Sequence, residues 1–205
     1  MNYNEFRIRF FDLACFSVDQ IYTWHPGFDR NNLTRWTGKG LLIRLRQGYY
    51  TFPEYRLRPD FPLWFANRIY KPSYVSLHSA LSFYGIIPEA VLQKTSITSL
   101  KTNFFTNELG VYSYKSVKEK LMFGYIDKPL SDGRAFYIAT PEKALLDLLY
   151  LYSFYDSTDE MEALRIDTDW LHNELDTGLI DEYLNLFSSE ALSNRVRLLF
   201  KAYKI

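Results

Sequence analysis

Apolar residues in the first fifty positions recur first with a helical period and then with a period of two. Within Asn4–Ala14, the residues Phe6, Phe10, Leu13 and Ala14 fall at i, i+4, i+7 and i+8, one face of a helix. Ser17 is a candidate N-cap for a second helix, Val18–Trp24, with Ile21 and Tyr22 turned inward. His25-Pro26-Gly27 ends it, because proline cannot continue the hydrogen-bond ladder and glycine tolerates the turn. Asp29 can cap a third helix that begins at Arg30 and stops at Gly38 and Gly40. Then Leu41, Ile43 and Leu45 alternate with Leu42, Arg44 and Arg46, Gln47-Gly48 supplies a turn, and Tyr49–Phe52 returns as a second strand. Three helices and a hairpin are the element order of a winged helix-turn-helix, which predicts one domain over residues 1–57.

Residues 58–205 predict a second, mixed α+β domain with a helical C-terminus, so the chain as a whole reads as α+β. Phe52–Pro62, with Pro53, Pro59 and Pro62, is the connector. Short helices are expected over Leu63–Tyr70 and Ser76–Tyr84, the latter with Gly85 just past its end. Strands are expected at Ser96–Leu100, Val111–Lys115, Leu121–Tyr125 and Ala135–Ala139. Thr140-Pro141 opens a strongly apolar helix through Tyr152, N-cap first and proline at the first helical position. A short helix around Asp169–Leu175, a break at Gly178 and a terminal helix over Ser189–Tyr203 complete the pattern. There are no internal repeats.

The third helix has two chemically distinct sides. At about 100° per residue, Leu33, Trp36 and Thr37 share the side that packs inward. Asn31, Thr34, Arg35 and Gly38 lie opposite, flanked by Arg30 and Lys39. Asn, Thr and Arg are side chains that reach base edges and phosphates in a major groove, where the second helix of a helix-turn-helix docks. The expectation is that Asn31, Thr34 and Arg35 read bases. Arg30, Lys39 and, from the hairpin, Arg44 and Arg46 hold phosphate of double-stranded DNA. The bland alternative is a small packed module whose polar face simply meets water.

Composition first speaks against such a partner. The 205 residues carry 24 Lys+Arg and 24 Asp+Glu, a net charge of zero. The distribution reverses that inference. Residues 1–58 hold nine basic and five acidic side chains, a balance of +4, and the remaining 147 hold 15 and 19, a balance of −4. Within the latter, residues 156–190 carry 11 acidic groups against one arginine. That run is either a solvated helical surface or a contact face. Hydrophobic residues at 47% and aromatics at 18% exclude a disordered chain. One cysteine excludes a disulfide framework and a Cys-rich zinc module. No apolar run of spanning length occurs, and Glu5, Arg7 and Arg9 interrupt the N-terminus where a signal peptide needs an apolar core, so a cytoplasmic protein without membrane contact is expected.

No catalytic constellation stands out. His25, His78 and His172 are far apart and in no zinc spacing, and the nine glycines form no phosphate loop. Cys15, at an apolar helix end, reads as an inert thiol. Glu142 and Asp147 are five apart and on different faces, which suits a helix N-terminal acid and a paired or rim aspartate rather than an acid pair. The expectation is therefore a non-enzyme without cofactor or metal. Two other readings are a protein-interaction module in which the winged helix binds a partner and the acidic 156–190 face is the contact, and a metal-dependent nuclease built on Glu108, Lys115 and nearby acids. The second lacks the convergent acids that a metal site needs.

Three stretches resemble one family. Gly40-Leu41-Leu42-Ile43-Arg44 through Gly48-Tyr49-Tyr50 resembles the wing of the AbiEi-type antitoxin regulators of bacterial type IV toxin–antitoxin (abortive infection) loci. Tyr74-Val75-Ser76-Leu77-His78-Ser79-Ala80-Leu81-Ser82-Phe83-Tyr84-Gly85 is similar to that family's segment after the connector, and Ala139-Thr140-Pro141-Glu142-Lys143-Ala144-Leu145-Leu146-Asp147-Leu148-Leu149 to its helix opening. The resemblance spans about residues 15–155 and implies a cytoplasmic repressor of its own operon. It also implies an antitoxin-bearing C-terminal domain and a neighbouring nucleotidyltransferase-type toxin countered without a stable complex. A homo-oligomer on the operator is compatible with it. Only the third-helix and wing positions gain a role from it, as DNA contacts.

Overall fold

Two helices near the N-terminus start by the same reciprocal pairing. In the computed structural model, which describes residues 1–205, Asn2 and Glu5 exchange backbone and side-chain hydrogen bonds at the start of α1 (Tyr3–Phe10). Ser17 and Gln20 do the same for α2 (Val18–Trp24). Each pair satisfies two backbone N–H groups that the first turn leaves without partners. The first helix is shorter than its apolar spacing suggests. The chain tightens to a 3-10 turn over Phe11–Leu13, and Ala14 takes φ 60°, so Leu13 is exposed while Phe6, Phe10 and Ala14 are buried.

The break at Ala14 releases Cys15–Ser17 as β1, a strand the sequence pattern does not predict between the two helices. Cys15 therefore sits on a strand rather than at a helix end. β1 pairs antiparallel with β3 (Tyr49–Thr51), which also pairs with β2 (Ile43–Arg46), giving a three-stranded sheet in the order β1-β3-β2. α3 (Asn31–Gly38) starts one residue later than expected, and the Asp29 side chain accepts the Asn31 N–H at 3.0 Å. Phe6 joins these elements. Its ring lies 4.7–6.2 Å, centroid to centroid, from those of Phe10, Phe16, Phe28, Trp36 and Phe52.

Beyond a 3-10 segment at Pro53–Leu57 come α4 (Phe61–Ile69) and a six-stranded mixed sheet. Its strands are β4 (Ser73–Val75), β5 (Gln93–Thr98), β6 (Asn103–Asn107), β7 (Gly110–Ser116), β8 (Tyr125–Pro129) and β9 (Ala135–Ala139). They lie in the order β6-β7-β5-β4-β9-β8, with β5–β7 and β4–β9 parallel and the other pairs antiparallel. Ala135–Ala139 matches the expected strand, β7 extends the expected Val111–Lys115 by one residue at each end, and β5 is shifted, starting three residues before the expected Ser96 and ending two before Leu100. The expected strand Leu121–Tyr125 is corrected: Glu119–Leu121 is a 3-10 turn, Gly124 turns the chain at φ +67°, and β8 starts only at Tyr125. β4 and β6 were hidden because one has three residues and the other alternates without a buried face.

Helices α5 (Leu77–Phe83), α6 (Pro141–Leu151), α7 (Thr158–Glu162), α8 (Thr168–Asn173), α9 (Thr177–Phe187) and α10 (Glu190–Tyr203) complete the α+β fold. The break expected at Gly178 does not occur. Asp176 caps α9 by accepting the Leu179 N–H at 3.0 Å, and Gly178 lies in that first turn. Part of the acidic run is thus explained locally: Asp167 and Asp176 are N-caps, and Asp159 and Glu160 sit in the first turn of α7, where the helix dipole favours anions. No helix is long and apolar enough to cross a membrane.

The buried apolar side chains on both sides of the connector form one contiguous core. Polar ties reinforce the junction: Asn107 Nδ2 donates to the Leu45 carbonyl at 2.8 Å, and Arg134 Nη1 to that of Asp12 at 3.1 Å.

Candidate nucleic-acid interface

The candidate contact residues in and beside α3 are all exposed. Leu33 and Trp36 are buried, Thr37 is half-buried, and Arg30, Asn31, Thr34, Arg35 and Lys39 are exposed. Arg44, on the neighbouring strand, is exposed as well. None of these six side chains takes part in an ion pair, so the cations among them present unneutralised charge. One is partly pre-positioned: Arg35 Nη2 donates to Oδ1 of the buried Asn32. That bond fixes one edge of the guanidinium and leaves the other free, the condition for a planar fork to meet a base edge or phosphate.

Arg46 does not belong with them. The register of β2 against β3 shifts between Arg44 and Arg46, so the strict alternation expected for the hairpin fails there. Arg46 turns toward the second half of the chain, where Nη1 donates to the Ile69 carbonyl. Its guanidinium lies 4.9 Å from the Tyr49 ring centroid and 5.2 Å from that of Phe105. Leu42, expected on the open face with the arginines, is buried. A bulge inside a four-residue strand leaves no trace in hydropathy.

A buried polar cluster joins two of the stretches quoted above. Lys143 and Asp147 form an i,i+4 ion pair on α6 with neither side chain exposed. Lys143 Nζ also donates to Tyr74 Oη at 2.9 Å, and Asp147 Oδ2 accepts from Tyr74 Oη at 3.0 Å and Ser76 Oγ at 2.8 Å. Burial pushes the Asp147 carboxyl up and the Lys143 ammonium down, while their mutual attraction and these hydrogen bonds oppose both shifts. The ammonium stands 4.7 Å from the ring centroids of Phe123 and Phe187. Gly124 makes room for it, since a Cβ there would lie 3.0 Å from the Lys143 side chain and from the Tyr183 ring. Asp147 is therefore paired and wholly interior, not at a rim, and Glu142, also buried, weakly accepts the Asp176 N–H at 3.5 Å. With no opening to solvent, this cluster ties β4 and the start of α5 to α6.

Glu108 lies in the turn between β6 and β7 and Lys115 near the far end of β7, and no group of three His, Cys, Asp or Glu side chains converges anywhere. Cys15 is half-buried and lacks a catalytic partner, and burial pushes its thiol up to about 12 although Arg68, Lys71 and Arg46 pull the other way. The chain matches no known family model and no curated protein.

Proposed function

We propose that the protein is a DNA-binding regulator in which residues 1–57 act as a winged helix, with α3 as the recognition helix and the β2–β3 hairpin as the wing. The observation that carries this reading is that Arg30, Asn31, Thr34, Arg35, Lys39 and Arg44 are all exposed and that none of the four cations among them is held in an ion pair. Asn31, Thr34 and Arg35 read base edges in the major groove, and Arg30, Lys39 and Arg44 hold phosphates. Arg46 drops out of the contact set and serves the junction instead. Resemblance of the three sequence stretches to AbiEi-type regulators supports an antitoxin that represses its own operon and counters a nucleotidyltransferase-type toxin encoded nearby. A gel-shift with the upstream region of the protein's own gene tests the reading. A shift that weakens steeply with salt is expected; no salt-sensitive shift at micromolar protein overturns it.

A further inference from the structure

Three hydrogen-bond donors stand buried and unpartnered: Trp64 Nε1 and Asn67 Nδ2, about one turn apart on α4, and Nε of Arg134, whose guanidinium lies 5.2 Å from the Trp64 ring centroid. Buried polar atoms without partners are rare, and here all three are donors, so what they lack is an acceptor. Asn67 is 7% exposed. Its amide orientation is fixed because Oδ1 accepts the Tyr137 backbone N–H at 2.7 Å, which leaves Nδ2 as the free end. Asn67 and Arg134 line a groove of about 800 Å³ that runs from α4 across β8 and β9. Trp64 lines a second groove of about 620 Å³, and the two share Arg68, Lys71 and Arg134 on their walls.

The walls supply two further kinds of chemistry. Arg68 and Lys71 are exposed and in no ion pair, whereas Arg134 is neutralised by Asp132 at 2.6 Å. Across from them, Tyr125 and Tyr137 are 39% and 48% exposed, edge to face with ring centroids 5.6 Å apart. Tyr125 is itself stacked on Tyr74, at 4.7 Å and 16°. Fixed aromatic rings in the open, beside free cations and buried donors, suit a ligand with both a planar ring and acceptor oxygens. The one free carboxylate on the wall, Asp127, disfavours a bare anion and suits sugar hydroxyls or an exocyclic amine.

We propose that this groove binds a nucleoside phosphate, with the phosphate on Arg68, Lys71 and Asn67 Nδ2 and the base against Tyr137. The ligand is a free mononucleotide or a nucleotide within a single RNA strand. The site is separate from the α3 surface and does not rest on the operator reading.

Titration of the full chain, followed by calorimetry, tests this with AMP, GMP, adenosine, inorganic phosphate and an oligoadenylate. Saturable binding of AMP or GMP in the micromolar to low millimolar range is expected, weaker with salt, and weaker still for adenosine or phosphate alone. Arg68→Ala and Lys71→Ala should each lower affinity several-fold, and Tyr137→Ala about tenfold for nucleotides but not for phosphate. Asn67→Asp keeps the acceptor for the Tyr137 N–H and replaces the free donor with a repelling oxygen, so it should abolish binding while the circular dichroism spectrum stays unchanged. Arg35→Ala, on the α3 surface, should bind nucleotide normally even if operator binding is lost. Tighter binding of the oligoadenylate than of AMP assigns the site to single strands; equal or weaker binding assigns it to free nucleotides. Absence of saturable binding by nucleotide and oligonucleotide overturns the proposal. So does phosphate binding as tightly as AMP, or affinity indifferent to Arg68→Ala and Tyr137→Ala.

Discussion

Lys143 and Asp147, one turn apart on α6, form the one ion pair of the protein in which both partners are fully buried. Removing one partner of such a pair strands the other charge in the interior, whereas replacing both with apolar residues of similar size is often nearly neutral. Lys143→Met is therefore expected to lower unfolding stability by about 3–5 kcal/mol, and Lys143→Met with Asp147→Leu to recover much of that loss. Urea unfolding of the two variants checks it. A double variant no more stable than the single one would show that the hydrogen bonds from Tyr74 and Ser76 to Asp147 matter more than the charge pair.

These two residues also show what the chain discloses about itself. Thr140-Pro141 and the apolar positions behind it mark α6 correctly, because caps and helical period are local properties. The same locality makes α2, α3, α10 and β9 readable. What makes Asp147 interior is a partner four residues away together with Tyr74 and Ser76, some seventy positions earlier, and no periodicity encodes that. β1 is not legible because its three residues, from the end of the expected helix at Ala14 to the N-cap Ser17, are too few to show a period of two. Of the seven candidate contact residues, six are exposed, as the helical period of α3 and the alternation at Arg44 lead one to expect. Arg46 fails because a bulge reverses its direction after Arg44.

The division between Arg44 and Arg46 gives the proposed interface a sharp test. Arg35→Ala is expected to cost about 1–3 kcal/mol of operator binding and to relax specificity. Arg44→Ala should weaken binding to all sequences and reduce the salt slope by about one. Arg46→Ala should leave that slope unchanged and instead lower unfolding stability by about 1–3 kcal/mol, since it removes the donor to the Ile69 carbonyl and two cation–ring contacts. Salt-dependent binding isotherms and denaturant unfolding on the three variants separate these outcomes. A lowered salt slope for Arg46→Ala would return that residue to the DNA contacts.

Cys15 offers a reporter for the junction. Its thiol is held un-ionised by burial, pushed up to about 12, and the thiolate is the reactive form. Alkylation by iodoacetamide near pH 8 should be slow in the native protein and rapid once denaturant is added. Arg46→Ala, by loosening the neighbouring contacts, should speed labelling at denaturant concentrations where the parent protein is still protected. Rapid labelling of the native parent protein would contradict this placement of the strand.

His78 links stability to mild acid. It is half-buried on α5, 3.4 Å from Tyr155 Oη, and burial pushes its pKa below the ordinary value of 6.5, with the charge of Glu89 opposing. A histidine depressed on folding binds fewer protons in the native state than in the unfolded one. Its contribution is intact above about pH 6.5 and is lost as pH falls through that value toward the lower folded pKa, so stability should rise with pH across this window. Asp132, held low by Arg134 and Arg58, loses its contribution only further down, as pH falls through the ordinary carboxylate range. Asp147, whose carboxyl is pushed up, acts in the opposite sense wherever it titrates. His78→Gln keeps a side chain able to bond Tyr155 and removes the titration. The difference between parent and variant stability, measured by urea unfolding at about pH 5, 6 and 7.5, isolates the histidine from both carboxylates. The variant is expected to lose less stability than the parent on acidification from 7.5 to 5. Parallel curves would mean that His78 titrates alike in both states and that its burial carries no pH dependence.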